Sequence, residues 1–520
     1  MIKLLQKKNL IFFFLGIMAI YRLTLVDRGA FSFYDETRYL SSVNAVKKIA
    51  QLDFSGFCYE VSNTDGRPGD VITRLLPACI QYIIFKTTGL PIENPNSLLI
   101  PVLFNVLISL LISFLFYQIT LLLFEEDIFI AIVGTITFSL LVTNNIYIRH
   151  ILPYETSFLF ALFILYYFLN KLKKSNNAID LRSIELIGFM TGFQYTIYPG
   201  HYYFVALFGA LIFFLDQDDL FSIIKFRKIL SYGLAAFSVL IFFQALSMMG
   251  NNSFYAGSTR ISQTITQGSF EEGLVFMGKY FLQVEKPIGY ILLPTTLLFI
   301  FFSVFRAYKN GLAYMRTSGK LDLIILVMLA GYLFHGSLAT IFHKMVFHGR
   351  LVHIYFPFAI WATLGLISTS PLSPLQRRGV YCGLISLSLI SFVHFNIQYY
   401  SLAYPRDVLY KNGVNIYTSV YPQHFIEETP MVFPYYSPPP TDTIKSAPYT
   451  NGIYYTVINS CFFYPVYDQF TPYQKTNNEK LIYEGEHFLG FLAYSYEGHN
   501  IHDRNLLQER KYKVKIYEQH

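Results

Sequence analysis

The stretch that decides the fold of this chain is LLIPVLFNVLISLLISFLFYQITLLLF, residues 98–124, which contains no charged side chain. A helix of about 20 apolar residues is long enough to cross a lipid bilayer. Similar apolar runs recur through the first 400 residues, and the whole chain is 53% hydrophobic and 14% charged. A soluble domain carries roughly 25% charged residues. The composition therefore predicts a polytopic all-α membrane protein.

The positions of lysine and arginine predict how the spans are oriented. These residues are enriched in short cytoplasmic loops. Here they cluster near the N-terminus and in the loops around 171–182, 225–228, 306–320 and 377–378. All of these fall on one side if the chain crosses eleven times, with the N-terminus in the cytoplasm and the C-terminus outside. The predicted spans are 9–26, 98–124, 128–148, 152–170, 184–199, 202–215, 229–249, 288–305, 321–342, 351–369 and 379–397.

Residues 71–89 are left out of this set. Their apolar residues recur every three or four positions, with Arg74, Gln81 and Lys86 between them. That pattern is typical of an amphipathic helix at a membrane surface. We expect a kink at Pro77, because proline cannot donate a backbone hydrogen bond. A crossing here would move every later basic loop outside.

The chain is predicted to form two domains. Residues 1–397 form the transmembrane domain, with a first outer loop at 27–97, and residues 398–520 form a small C-terminal α/β domain outside the membrane. The tail is rich in tyrosine and proline, and residues 452–458 have the composition of a strand. Cys58 and Cys461 would both lie outside, where a disulfide between them is one option. The net charge of +7 is spread over loops, so it is not interpreted as a nucleic-acid-binding surface.

Ionisable residues of several types gather on the predicted outer turns. The first outer loop contains Asp35-Glu36-Thr37-Arg38-Tyr39. Acids at the mouth of a membrane helix are costly, and such groups are candidates for a functional site. Two interpretations of Asp35 stay open: it is a general base, or it caps a surface helix that runs from Glu36 to about Ala50.

These elements resemble the GT-C glycosyltransferases, and within them the aminoarabinose transferase and protein O-mannosyltransferase branch. The resemblance rests on the Asp35-Glu36 motif after one span, on the Gly66-Arg67-Pro68 turn before a surface helix, and on two later turns. The first of these later turns carries Glu155 where the family has an acid, and the second runs from His348 to Pro357. The resemblance covers roughly residues 9–397.

What the resemblance implies is a polyprenyl-phosphate-linked sugar donor, an inverting reaction and transfer to an acceptor on the outer face of the membrane. The acceptor is a hydroxyl of a glycan, a lipid or a protein. We expect the protein in a bacterial inner membrane, in contact with membrane lipids. The resemblance also implies that no metal is needed, although Asp35, Glu36 and Glu155 would suit a hard cation.

The chemistry suggests a role for each candidate. Asp35 is the expected general base, and Glu36 would orient the acceptor or the sugar. The donor phosphate needs cations, for which the candidates are Arg38, Arg149, Arg350, Lys86 and His348. The candidates for substrate contact are Tyr39, Tyr154, Glu155, His201 and His353. Structural alternatives stay open: Arg38 would form a surface ion pair, and Glu155 would pair with Arg149 or His150.

Three other functions compete with a transferase: a transporter or flippase of a lipid-linked sugar, a polymerase or ligase of surface polysaccharide, and a non-enzymatic scaffold. Transporters bind substrate and coupling ions near the bilayer midplane. In this sequence the charged residues are expected at the outer rim, which favours the transferase.

Overall fold

The computed structural model describes residues 2–26, 38–64, 66–90, 92, 95–148, 150–267, 274–342, 353–400, 454–459, 479–488 and 511–519. Helices dominate these residues. They are α1 Ile2–Leu23, α2 Tyr39–Ala50, α3 Phe54–Ser62, α4 Pro68–Thr73, α5 Leu75–Thr88, α6 Pro95–Leu123, α7 Ile128–Ser139, α8 Tyr154–Lys174, α9 Leu181–Ile197, α10 Tyr203–Leu215, α11 Ile223–Met249, α12 Phe254–Gln267, α13 Val275–Gln283, α14 Gly289–Arg316, α15 Lys320–Phe342, α16 Phe356–Thr369 and α17 Pro374–Tyr400. Short 3-10 turns occur at Val142–Asn144, Pro199–His201 and His353–Tyr355.

The helices have the composition of membrane-spanning segments. Five of the described helices, α6, α11, α14, α15 and α17, are long and apolar enough to cross a bilayer. Their outer surfaces are apolar, as on α11, where Phe226, Leu230 and Phe237 are exposed. Such a surface is unfavourable in water and favourable in lipid. The chain is therefore an α-helical integral membrane protein. Each predicted span overlaps a helix, while the number of crossings stays a prediction.

Four loops on the predicted cytoplasmic side lie together at one end of the helices: 124–127, 175–180, 216–222 and 316–319. We call this the basic end, because the helix ends beside these loops carry Lys171, Lys173, Lys174, Lys225, Arg227 and Lys228. Lys173 forms an ion pair with Glu126 across two of these loops. The Arg316 guanidinium donates to the Phe214 carbonyl at 3.1 Å and to the Asp218 carbonyl at 3.0 Å. These contacts agree with the grouping of loops that the charge pattern predicted.

One carboxylate organises the basic end. Asp216 follows α10 and has no exposed surface. Its Oδ2 accepts hydrogen bonds from Lys225 Nζ at 2.9 Å and Lys228 Nζ at 3.0 Å, and its Oδ1 accepts the Ile179 N–H at 2.9 Å. Burial tends to raise the pKa of Asp216, but the hydrogen bonds and the lysine charges outweigh it and hold that pKa below its usual value. The cluster joins the ends of α9, α10 and α11.

Helices α3, α4 and α5 lie at the opposite end, which we call the α4 end. Gly69 in α4 packs against the last turn of α9, so closely that a Cβ there would lie 2.5 Å from Thr196 Oγ1. Gln81 in α5 donates Nε2 to the carbonyl of Ser97 at 2.8 Å, at the start of α6. These contacts place α4 beside the last turn of α9 and the middle of α5 beside the start of α6; that residues 71–89 do not cross the membrane stays a prediction.

The predicted surface helix differs from expectation in two respects. It is interrupted at Arg74, whereas Pro77 lies in the first turn of α5, where a missing N–H costs little. The chain therefore breaks three residues before Pro77, next to Thr73, whose carbonyl an N–H at position 77 would otherwise bond. The polar side chains also face inward: Arg74 and Gln81 are buried, while Leu76 and Ile83 are 63% and 54% exposed. An apolar outer face fits contact with lipid.

The described part of the tail is a three-stranded antiparallel sheet in the order β1-β3-β2. Its strands are β1 Tyr454–Asn459, β2 Glu479–Phe488 and β3 Lys511–Gln519. Strand β1 confirms the strand predicted at 452–458. A helical contribution to this tail and its position outside the membrane stay predictions. Cys58 in α3 is a buried free thiol, and Cys461 lies outside the described residues.

Candidate functional site

The segment between α7 and α8 is buried but not helical. One span was predicted over 128–148, but α7 ends at Ser139 after 12 residues. That is about 18 Å of helix, less than the roughly 30 Å of a hydrocarbon core. Nearly all described residues of 140–153, which we call the α7–α8 connection, are buried. Buried backbone groups need hydrogen-bond partners, so the connection depends on side chains from other elements.

Two side chains hold the second half of the connection. Asn105 in α6 donates Nδ2 to the carbonyls of Ile148 and His150 at 3.3 and 2.7 Å. Arg74, which is 1% exposed, donates Nη2 to the carbonyl of Leu152. The start of α8 is thereby fixed against the junction of α4 and α5.

A buried carboxylate holds the first half of the connection. Glu285 lies between α13 and α14 and has no exposed surface. Its Oε2 accepts the N–H of Val142 at 3.0 Å, and its Oε1 accepts the N–H of Thr143 at 2.8 Å. The Thr143 hydroxyl donates to Oε1 as well. These N–H groups begin a 3-10 turn, where donors have no partner within the turn itself.

An arginine from α1 reaches the same turn. Arg22 is 1% exposed; its Nη1 donates to Ser109 Oγ at 3.1 Å, and its Nε donates to Asn145 Oδ1 at 3.3 Å. Ser109 is the central residue of α6, about 21 Å from either helix end. Arg22 therefore lies deep among the helices. The expectation that charge is confined to the outer rim was wrong, because buried polar groups hold an irregular backbone there.

Helix α4 carries Asp70 and is flanked by Arg67 and Arg74. Arg74 Nε donates to Asp70 Oδ1 at 2.7 Å, with side chains 1% and 10% exposed. The Arg67 guanidinium lies 5.1 Å from the ring centroid of Tyr198. A guanidinium away from bulk water forms strong, charge-assisted hydrogen bonds to an anion. This part of the α4 end is thus suited to an anionic ligand group.

Tyrosine and histidine side chains form the adjacent part of the α4 end. Tyr198 contacts Tyr154 edge to face with ring centroids 4.5 Å apart, and its centroid is 4.8 Å from that of His201. His201 Nδ1 lies 2.9 Å from Ser157 Oγ, and the His201 and His353 ring centroids are 6.0 Å apart. Aromatic walls with a few fixed polar groups are common in sites for small molecules.

The predicted site residues fall into three groups. Asp35, Glu36, Arg149, His348 and Arg350 lie outside the described residues. A second group is brought together at the start of α8 and the two later 3-10 turns: Tyr154, Glu155, His201 and His353. Within it, Glu155 is half-buried in the first turn of α8, and the other three are buried.

The third group consists of Tyr39, Lys86 and Arg38. Tyr39 is 1% exposed, so neither face of its ring is open to a ligand. Its hydroxyl donates to Gln81 Oε1 at 2.5 Å. Lys86 is exposed in the last turn of α5, about 18 Å along the helix from Arg74. Arg38 is half-buried and occupies the N-cap position of α2. The dihedral angles of Arg38 are themselves helical (φ −60°, ψ −23°), and Asp35 lies outside the described residues, so the capping role of Asp35 stays an alternative.

Several residues of the site were not found from the sequence. Asp70 lies just before the predicted surface helix and was not singled out, and Arg74 was assigned only to the polar side of that helix. Glu285 belongs to a loop and gave no signal. Arg22 could have been recognised, because a charged residue inside a predicted span is a signal of a buried polar contact or a functional site.

Among the residues that the structure describes, no group of three or more histidine, cysteine, aspartate or glutamate side chains is arranged to hold a metal ion. The polar groups described at the candidate site are arginine, carboxylate, imidazole, hydroxyl and phenol groups. Comparison with known proteins adds no assignment: no protein-family model, no curated protein and no solved structure matches this chain.

Proposed function

We propose that this protein is a membrane glycosyltransferase that moves a sugar from a polyprenyl-phosphate donor to an acceptor hydroxyl. One observation carries the proposal. Arg67, Asp70 and Arg74 lie beside the tyrosine and histidine cluster, and α4 packs on α2. Helix α2 follows the Asp35-Glu36 motif directly in the sequence. Cations for a phosphate and polar groups for a sugar thus occur beside α4, which packs on the helix that follows the candidate base in the sequence.

In the proposed reaction the acceptor oxygen attacks the anomeric carbon while the bond from that carbon to the phosphate oxygen breaks. The bonding electrons leave with the polyprenyl phosphate, and Asp35 takes the hydroxyl proton. Arginine side chains stabilise the phosphate as its negative charge increases. A single displacement of this kind inverts the anomeric centre.

The described residues refine the choice of phosphate ligands. Arg67 joins Arg38 as a candidate, because its guanidinium lies at the edge of the tyrosine cluster. Arg74 is already held by Asp70 and the Leu152 carbonyl, so we give it the role of fixing α4 against α8. Lys86 is a weaker candidate because of its distance along α5.

We further propose that the basic end faces the cytoplasm and the α4 end faces outward. The support is the concentration of lysine and arginine at the helix ends beside the loops of the basic end, which is typical of the cytoplasmic side. These residues are Lys171, Lys173, Lys174, Lys225, Arg227, Lys228 and Arg316. The donor's lipid tail would then stay in the outer leaflet, next to the apolar outer face of α5.

The test is transfer by purified protein in lipid vesicles that contain a polyprenyl-phosphate sugar. Asp35→Asn is expected to lose transfer while still binding the donor. Asp53→Asn is the matched control, because Asp53 is in the same loop but caps α3 through the Gly56 N–H at 2.8 Å. Asparagine is an equally good cap, so that variant is expected to keep transfer. Full transfer by Asp35→Asn would rule out the proposed base.

A transporter of a lipid-linked sugar is the second candidate, and Arg22 near the middle of α6 is the observation that favours it. However, Arg22 and Glu285 are sealed from solvent and bonded to protein groups, as expected for structural contacts rather than a pathway. Movement of the donor between leaflets without any acceptor, measured in the same vesicles, would favour the transporter.

A further inference from the structure

The strongest feature outside the proposed chemistry is the contact between Glu285 and the α7–α8 connection. Glu285 is fully buried and forms no ion pair within the described part of the chain. A buried carboxylate without a cation is costly unless hydrogen bonds compensate. Here three donors from two consecutive residues, Val142 and Thr143, supply that compensation.

The geometry of this contact requires a carboxylate. The N–H groups of Val142 and Thr143 are directed at different oxygens of Glu285. A carboxylate offers two acceptors, whereas a glutamine amide offers one acceptor and an NH₂ group that is only a donor. Glu285→Gln would therefore leave one buried backbone N–H facing another donor.

The contact also lies at one end of a continuous set of anchors. Glu285 holds residues 142 and 143, Asn105 holds the carbonyls of residues 148 and 150, and Arg74 holds the carbonyl of residue 152. Helix α8 begins at Tyr154, immediately beyond the last anchor. The irregular backbone between α7 and α8 is thus fixed at both ends.

From this arrangement we infer that Glu285 is a positioning residue: it fixes the α7–α8 connection and, through it, the place of Glu155, Tyr154 and the Leu152–Arg74 contact in the candidate site. Glu285 does not touch the reacting groups. For its effect on transfer, this inference rests on the proposed function.

The test measures backbone hydrogen exchange of purified protein by mass spectrometry, so it does not depend on any activity. In Glu285→Gln we expect exchange across residues 142–152 to accelerate on the order of tenfold, since a lost buried hydrogen bond shifts an opening equilibrium by about that factor. Exchange in the centre of α11 should not change. Ser391→Ala is the matched control: Ser391 Oγ accepts the Ile288 N–H at 3.1 Å and donates to the Glu285 carbonyl at 3.4 Å. The control variant removes contacts of the loop that carries Glu285, but it keeps the hydrogen bonds between Glu285 and the α7–α8 connection.

A second variant covers the case in which Glu285→Gln does not fold. Thr143→Val removes only the hydroxyl donor and keeps both backbone bonds, so a smaller acceleration over the same residues is expected. If exchange rises equally across the whole protein, or not at all over 142–152, the positioning role is refuted.

A transfer assay extends the test to the site. Glu285→Gln should raise the KM for the lipid-linked donor and lower kcat, while Ser391→Ala should change neither. If exchange accelerates over residues 142–152 while KM and kcat do not change, the connection does not position the candidate site. Absence of transfer in the unmodified protein would refute the proposed function and leave the exchange result standing.

Discussion

Replacement of Asp216 by asparagine should destabilise the protein more than any other single change at the basic end. Asparagine keeps an oxygen for the Ile179 N–H but removes the charge that faces Lys225 and Lys228, which are 0% and 8% exposed. Breaking a buried ion pair from one side typically costs 3–5 kcal/mol, so we expect a loss of about 3–5 kcal/mol.

Asp218→Asn is the matched control, two residues away. The Asp218 carboxylate pairs with Lys228 at 2.7 Å, but its side chain is 21% exposed. Asp218 contacts one lysine where Asp216 contacts two, and part of its side chain is open to water, so we expect a smaller loss, on the order of 1 kcal/mol.

The single tryptophan provides the assay. Trp361 has no exposed surface, donates Nε1 to Thr120 Oγ1 at 2.8 Å and stacks on Phe116 with centroids 5.0 Å apart. Its fluorescence should change when the helices separate, so unfolding by SDS in mixed micelles can be followed for each variant. If the free energies of unfolding of Asp216→Asn and Asp218→Asn differ by less than about 1 kcal/mol, the Asp216 carboxylate is not shielded from water as described.

Two further predictions concern packing and pH. Gly69→Val places new atoms where a Cβ alone would be 2.5 Å from Thr196 Oγ1; we expect a loss of about 1–3 kcal/mol in the same unfolding assay, and unchanged stability would show that α4 does not pack tightly on α9. The pKa of Asp216 is lowered from 3.8 in the folded protein. The ionised carboxylate therefore stabilises the fold fully above about pH 4, and this contribution is lost as the pH falls through the lower folded-state pKa. The stability difference between the unmodified protein and Asp216→Asn should therefore be constant from about pH 5 to 8, and a decline within that range would contradict the lowered pKa.

The positions of the helices could be predicted because apolar runs are a strong signal that does not depend on tertiary contacts. The grouping of the basic loops could also be predicted, because the positions of lysine and arginine along the chain are a signal that does not depend on tertiary contacts. The break after Ser139 could not be placed, because the residues that follow it are mostly apolar and continue the run. Thr143-Asn144-Asn145 inside that run was the available signal: three polar residues in a predicted span need partners.

The internal arrangement of the site was less accessible to prediction. Arg74 and Gln81 were correctly recognised as the polar side of a helix, but the protein covers that side and lipid-compatible residues face outward. The partners that decide this orientation, Leu152 and Ser97, are distant in the sequence. Glu285 was missed for a similar reason, since its role depends on a turn about 140 residues earlier.

The most direct test of the proposed function is native mass spectrometry of the protein after incubation with a polyprenyl-phosphate sugar and an acceptor extract. Asp35→Asn is predicted to retain the intact donor, because binding does not need the base. The unmodified protein is predicted to hold polyprenyl phosphate without its sugar. Absence of any polyprenyl lipid on both proteins, or equal loss of the sugar from both, would contradict a glycosyltransferase that uses Asp35.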